Sequence, residues 1–168
     1  MYKLKPTGRA AIVLPDGFLF GEGIKTTIKT KLLSEFNLHT IVRLPNGVFS
    51  PSSDINTTLL FIEAGKPTSE IWYYQAPLPE GYKKYTKTKP IQNRDFSAIK
   101  AWWGNREENE FAWKVEIEQI KSNGYNLDIK NPSTVIEADD IGVDELIEKI
   151  SESMTTSQTI LEQIKEMM

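Results

Sequence analysis

The sequence predicts an α/β domain that ends in an α-helical tail. Three observations carry this reading. Short apolar runs recur along the first part of the chain, each closed by Gly, Pro or Asn turn chemistry. A stretch with apolar residues at helical spacing lies between the first two runs. The last segment carries a heptad pattern. A length of 168 residues allows one domain with its own core, or one domain with an appendage.

Arg9–Leu14 (RAAIVL) reads as a strand buried on both faces, ended by Pro15-Asp16-Gly17. Ile24, Ile28, Leu32, Leu33 and Phe36 predict a helix over Glu22–Phe36. Thr40–Leu44 (TIVRL), Thr57–Ile62 (TTLLFI) and Ile71–Tyr74 (IWYY) are three further strands, the first two closed by Pro45-Asn46-Gly47 and Gly65-Lys66-Pro67. Strand, helix and strand form a βαβ crossover with parallel, right-handed strands. The third strand follows without room for a helix and is expected to be antiparallel. Residues 75–89 are polar and broken by Pro77, Pro79 and Gly81. Phe96–Trp103 is expected to be a helix capped by Asn93 or Asp95. Trp113–Ile120 reads as a helix stopped by Asn123-Gly124, and Tyr125–Ile129 alternates like a short strand. In the tail, Val143, Ile147, Ile150, Met154, Ser157, Leu161, Ile164 and Met168 alternate steps of four and three, a seam for helix pairing. A helical hairpin packed on its own domain accounts for the same pattern, with a break among Ser151, Ser153, Thr155 and Thr156. No internal repeat or low-complexity tract is present.

Composition narrows the chemistry. The chain is 39% hydrophobic and 26% charged, a globular mix. With no cysteine and only His39, there is no thiolate nucleophile, disulfide or multi-histidine metal site. No apolar run approaches the roughly 20 residues of a membrane span, and MYKLKPTGRA lacks a secretion signal's apolar core, so a cytoplasmic location without membrane contact is expected. Residues 1–100 carry 14 Lys/Arg against 8 Asp/Glu, and residues 101–168 carry 6 against 15. A basic half suits a polyanion, and an acidic half faces water or another protein.

Gly8–Phe20 (GRAAIVLPDGFLF), LPNGVFSP, INTTLLFIEAGKP, IWYY, YTKTKP and GYNLDI occur in this order. Together they resemble the C-terminal part of the modification subunit of type I restriction-modification systems, an S-adenosylmethionine-dependent DNA adenine-N6 methyltransferase. The resemblance covers roughly residues 1–132 and implies the C-terminal half of a Rossmann-like methyltransferase sheet. Residues 1–75 would end the catalytic domain, 76–140 form a family-specific extension, and 141–168 form the helical tail. It also implies that the glycine-rich cofactor loop and the Asn/Asp-Pro-Pro-aromatic motif lie upstream. Gly21-Glu22-Gly23 follows the wrong strand for the first, and Asn131-Pro132-Ser133 lacks the second. No catalytic, cofactor or metal residue is therefore assigned, and this chain alone is expected to be inactive and free of S-adenosylmethionine. The resemblance further implies double-stranded DNA and the specificity and restriction subunits as partners. The missing neighbour of the first strand leaves an open edge that invites self-association.

By the same resemblance, Phe49 stands where an aromatic stacks on the flipped-out target adenine; the other reading is a plug for the local core. Pro15, Asp16 and Gly17 would line the pocket, or form an ordinary strand-ending turn. Lys83, Lys84, Lys87 and Lys89, interleaved with Tyr82 and Tyr85, suit phosphate contacts, or a merely solvated loop. His39 reads as structural. Two rival classes remain: a non-catalytic interaction domain with an acidic helical tail, and a different nucleotide-binding α/β enzyme, for which no acid-base pair or nucleophile is visible.

Overall fold

The computed structural model describes residues 4–133 together with Ile147, Ile150, Ser151, Ser153, Met154, Thr155, Ser157 and Gln158. The chain divides into two compact units, Met1–Thr134 and Val135–Met168. In the first, the order is β1 (Arg9–Pro15), α1 (Gly17–Phe20), α2 (Ile24–Glu35), β2 (Phe36–Arg43), β3 (Thr57–Ala64), β4 (Glu70–Gln75), a 3-10 turn (Asn93–Phe96), α3 (Ser97–Gly104), β5 (Ala112–Glu116) and α4 (Ile117–Ser122).

The five strands form one sheet in the order β1-β3-β2-β4-β5. β3 is antiparallel to both β1 and β2, which are therefore parallel to each other with β3 inserted between them. β4 runs parallel to β2, and β5 closes the far side antiparallel to β4. Apolar residues fill both faces. One core gathers Leu19, Leu32, Leu33, Leu38, Ile41 and Leu60 with residues of β4, β5 and α4. The other gathers Val42, Tyr74, Ile99, Trp102 and Ala112 around α3.

The expected α/β order of strand, helix, strand and antiparallel strand is present, with several departures. β1 is an edge strand whose exposure alternates instead of being buried throughout, and Val13 is 52% exposed. Its outer edge has no paired strand among the described residues. α2 ends at Glu35, because Phe36 already pairs with Ala64 of β3; ladder formation overrides the helical spacing at that position. Leu32 and Leu33 are buried, but Ile24 is 80% exposed and Ile28 is also exposed, so only the C-terminal half of the expected stripe reaches the core. Lys29 is buried instead, its ammonium donating to the Leu19 and Gly21 carbonyls at 2.9 and 3.0 Å.

Trp113–Ile120 is split between β5 and α4. Trp113, Val115 and Ile117 alternate, and the open edge of β4 selects that period-2 face over the helical one. Residues 125–129 form no strand. Tyr125 has φ +60°, and Leu127 is held by its own N–H to the Leu19 carbonyl and by the Tyr73 hydroxyl donating to its carbonyl. Asp95 is not an N-cap. Its carboxylate accepts from the Gln92 N–H at 2.8 Å at the start of the 3-10 turn. In the second unit every described residue from Ile147 to Gln158 is helical, and Ile147, Ile150 and Met154 are exposed. Val143, Leu161, Ile164 and Met168 of the heptad seam lie outside the described residues.

The β3-to-β4 connection crosses the amino end of β2, where the ladder alone would leave backbone groups unpaired. Thr68, buried there, solves this with one hydroxyl that donates to the Phe36 carbonyl at 2.8 Å and accepts from the Leu38 N–H at 2.9 Å. Its own N–H donates to the Leu33 carbonyl. Thr68→Val keeps the shape but leaves a buried donor and acceptor unsatisfied, and is expected to cost about 2–4 kcal/mol. Thr68→Ser keeps the hydroxyl and is expected to retain most of this stability. Urea unfolding of both variants checks it; equal loss in the two would mean that the methyl, and not the hydroxyl, matters.

Candidate nucleic-acid interface

Because β1, β2 and β4 are parallel, their carboxyl ends share one rim of the sheet, the position where open α/β sheets place ligands. The connection 44–56 rises from this rim. It is closed at its base by the Leu44 N–H donating to the Thr57 carbonyl at 3.0 Å. Within it, the Ser50 N–H donates to the Gly47 carbonyl, and the Ser52 and Ser53 N–H groups both donate to the Phe49 carbonyl, at 2.9 and 3.1 Å. The Phe49 backbone is thus fixed by two successive tight turns, while its side chain points away from any core. Phe49 is 49% exposed.

The lysine-rich segment docks on this loop. The Tyr85 N–H donates to the Asn46 carbonyl at 2.9 Å, and the Lys84 ammonium pairs with Asp54 at 3.0 Å. Gly47 makes the approach possible. Its φ is +81°, and a Cβ there would lie 2.1 Å from the Tyr85 carbonyl oxygen. Tyr85 is 1% exposed and anchors the segment; burial, then the hydrogen bond that Asp95 accepts from it, pushes its hydroxyl up to about 12. The Tyr82 ring stands edge-on to Tyr85, with the Lys89 ammonium 4.9 Å from its centre. Lys83, Lys84, Lys87 and Lys89 are all exposed. Lys83 and Lys87 have no ion-pair partner among the described residues. Two features distant in the sequence, an exposed aromatic and a row of ammonium groups, therefore share one surface.

Asp16 ties the ends of β1 and β3 together. Its N–H donates to the Asn56 carbonyl at 3.0 Å, and its carboxylate accepts from the Thr58 hydroxyl. It lines a cleft of about 460 Å3 on the same rim. Pro15 is the last residue of β1, and Gly17 opens α1. The cleft also brings in Asn46, Asn56 and Gln75, three exposed side-chain amides that the sequence reading did not single out. Gln75 ends β4, Asn56 directly precedes β3, and Asn46 follows the end of β2. The signal was present, but without the topology nothing shows that these three ends meet.

Gly21-Glu22-Gly23 forms the turn between α1 and α2. A Cβ at Gly21 would fall 2.0 Å from the Lys25 side chain. The Lys25 ammonium donates to the Gly17 carbonyl, and Lys29 takes the Leu19 and Gly21 carbonyls. The space beside Gly21 is thus taken by the chain's own lysines, while Gly23, at φ +64°, faces open space. No cluster of three His, Asp or Glu side chains able to hold a metal occurs among the described residues. Among them, no helix is long and apolar enough to cross a membrane.

Residues 1–140 match the family model for N-6 DNA methylase. The chain belongs to this family. It is 57% identical over 136 residues to the type I restriction enzyme EcoEI methylase subunit of Escherichia coli, a match covering 77% of the chain and 28% of that relative. Among solved structures, one from work on complex assembly and conformational transition of the type I R-M system superposes with a TM-score of 0.76 at 37% identity, covering 98% of the chain and 37% of that structure. The type I restriction-modification methyltransferase subunit of Streptococcus thermophilus superposes with a TM-score of 0.63 at 29% identity, over 76% of the chain and 27% of its own. The chain thus spans between a quarter and two fifths of the length of these relatives. The resemblance drawn from the short motifs agrees with these matches.

Proposed function

We propose that the chain is part of a site-specific DNA adenine-N6 methyltransferase subunit of a type I restriction-modification system, in which it builds the target-base side of the pocket. The observation that carries this reading is the half-exposed Phe49 ring, fixed at the carboxyl rim of a methylase-family sheet beside a row of lysines. An adenine extruded from duplex DNA loses its stacking neighbours, and an aromatic face returns part of that energy. Lys83, Lys84, Lys87 and Lys89 neutralise backbone phosphates near the extruded base. Asp16, between Pro15 and Gly17, holds the β1 end in place next to the loop.

In the complete enzyme S-adenosylmethionine supplies the methyl group. Lys25 and Lys29 take the space and the carbonyls beside Gly21 in the one Gly-x-Gly turn, which supports placing the cofactor and the catalytic motif in the rest of the subunit. The exposed Ile147, Ile150 and Met154 of the tail helix support a docking role towards the specificity subunit, with the restriction subunit joining the same assembly.

In the complete enzyme, Phe49→Ala should weaken the flipped state by about 1–3 kcal/mol, or about tenfold to hundredfold in methylation. The melting temperature should hardly move, because the ring is half in solvent already. Phe49→Tyr and Phe49→Trp should keep much of the activity, and a duplex with an unpaired target adenine should partly rescue the alanine variant. A destabilised variant without rescue would return Phe49 to a packing role. Calorimetric titration of the 168-residue chain with S-adenosylmethionine should show no binding, and a micromolar dissociation constant would overturn the assignment of the cofactor site elsewhere. Replacing Ile147 and Met154 by Asp in the complete subunit should abolish pull-down of the specificity subunit with the circular dichroism spectrum unchanged; undiminished capture would rule out the tail as the docking surface.

A further inference from the structure

A second cleft, of about 530 Å3, opens at the other end of the sheet, where β1 and β2 begin and β3 ends. Arg9, Glu63 and Asn37 form a direct cross-strand row there on β1, β3 and β2. One residue further along β2, the register with β3 slips between Leu38 and Thr40, leaving His39 as the extra residue of a bulge. His39 lies two residues on from Asn37 and therefore on the same face of β2, where its imidazole joins the lining of the cleft. Arg106, just after α3, completes it. Its guanidinium carbon lies 4.5 Å from the centre of the Trp103 ring and 5.5 Å from that of Trp102, and Nη2 reaches His39 Nδ1 at 3.5 Å. Trp103 is itself propped edge-on by Phe61 at 4.7 Å between ring centres.

The charges here do not balance. Arg9, Lys66 and Arg106 act on His39 against the single carboxylate of Glu63. No carboxylate lies within ion-pair distance of any of the three cations among the described residues. Burial first, then Arg106, Lys66 and Arg9, hold the imidazole below its ordinary value, partly opposed by Glu63. Asn37 is 7% exposed and lines the cleft, yet its side-chain amide has no hydrogen-bond partner among the described residues. A half-buried guanidinium without a counter-ion is unfavourable, and the two indole faces offset only part of this. Guanidinium forks match the oxygens of phosphate. With a neutral imidazole, Arg9 and Arg106 of the lining together with Lys66 outside it exceed the one carboxylate of Glu63 by two positive charges, which a doubly charged phosphate balances.

We propose that this cleft is an oxyanion site that takes a phosphate dianion between Arg9 and Arg106, with Asn37 as an amide donor. It lies at the end of the sheet opposite Phe49 and is independent of the role given to that loop. The ligand is inorganic phosphate or the terminal phosphate of a nucleotide; the chemistry is shared, and the rings of Trp103 and Phe61 give a nucleotide something further to stack on.

His39 is the only histidine, so its ring protons are an unambiguous NMR probe in the 168-residue chain. At pH 8, inorganic phosphate and pyrophosphate should shift the His39 signals saturably, with a dissociation constant of about 1 mM or below. A bound dianion favours the imidazolium, so saturation should also raise the His39 titration midpoint. Arg9→Gln, on an exposed edge-strand position, should weaken binding about tenfold without changing the melting curve. Arg106→Lys should do the same by losing the fork while keeping the charge. Tighter binding of dAMP than of inorganic phosphate assigns the site to a nucleotide, and equal binding assigns it to free phosphate. The proposal is overturned if neither phosphate nor pyrophosphate gives a saturable shift, if Arg9→Gln binds as well as the unaltered chain, or if only a glutamate-rich peptide or a DNA duplex moves the His39 signals.

Discussion

The insertion of β3 between β1 and β2 constrains everything else in the first unit. β3 follows β2 with no crossover helix between them, so it runs against β2, and with it against β1, and enters the sheet at the rim where β2 leaves. The chain must therefore turn back in residues 44–56 at the carboxyl ends of β1 and β2. Phe49 lies at the tip of that return. With one flank of β2 taken by β3, β4 can only add on the other, and its connection must cross the amino end of β2. Thr68 makes that crossing tolerable by supplying in one hydroxyl the donor and the acceptor that a ladder would otherwise give.

The same topology separates two kinds of polar surface. At the carboxyl rim the loop is stiffened from below by Asp16 and from the side by Tyr85, so an apolar ring is held in water without a core to hold it. Order without burial requires hydrogen bonds, and the paired acceptances at the Phe49 carbonyl and the close approach at Gly47 provide them. At the opposite end, a cation held against two indoles leaves positive charge without a counter-ion. Both arrangements cost stability locally, and both rest on strands that are buried and well paired.

Much of this is legible in the short motifs. Apolar runs ended by Pro-Asp-Gly, Pro-Asn-Gly and Gly-Lys-Pro mark β1, β2 and β3 because turn chemistry is local and needs no partner. The order of those motifs also carried the resemblance to the methylase family that the matches support. Phe49 and the lysine run were legible as residue types with a chemical use, but their meeting was not, since it depends on a backbone contact between Gly47 and Tyr85 in segments far apart in the chain.

What the sequence determined by itself is therefore the set of elements whose signals are local: turns, apolar strands and an aromatic placed in a turn-rich loop. Tertiary structure decided the rest wherever two local preferences were close in energy. Phe36 left the helix because a β3 partner was available, and Trp113–Glu116 became a strand because β4 had an open edge. Arg9–Leu14, apolar after its first residue, alternates in exposure because only the face carrying Ile12 and Leu14 packs on the core. His39, read as structural beside an apolar strand, gained its surroundings from the cross-strand row of Arg9, Glu63 and Asn37 and from Arg106 in the segment after α3. Pairing partners and register are long-range properties, and a single chain segment does not contain them.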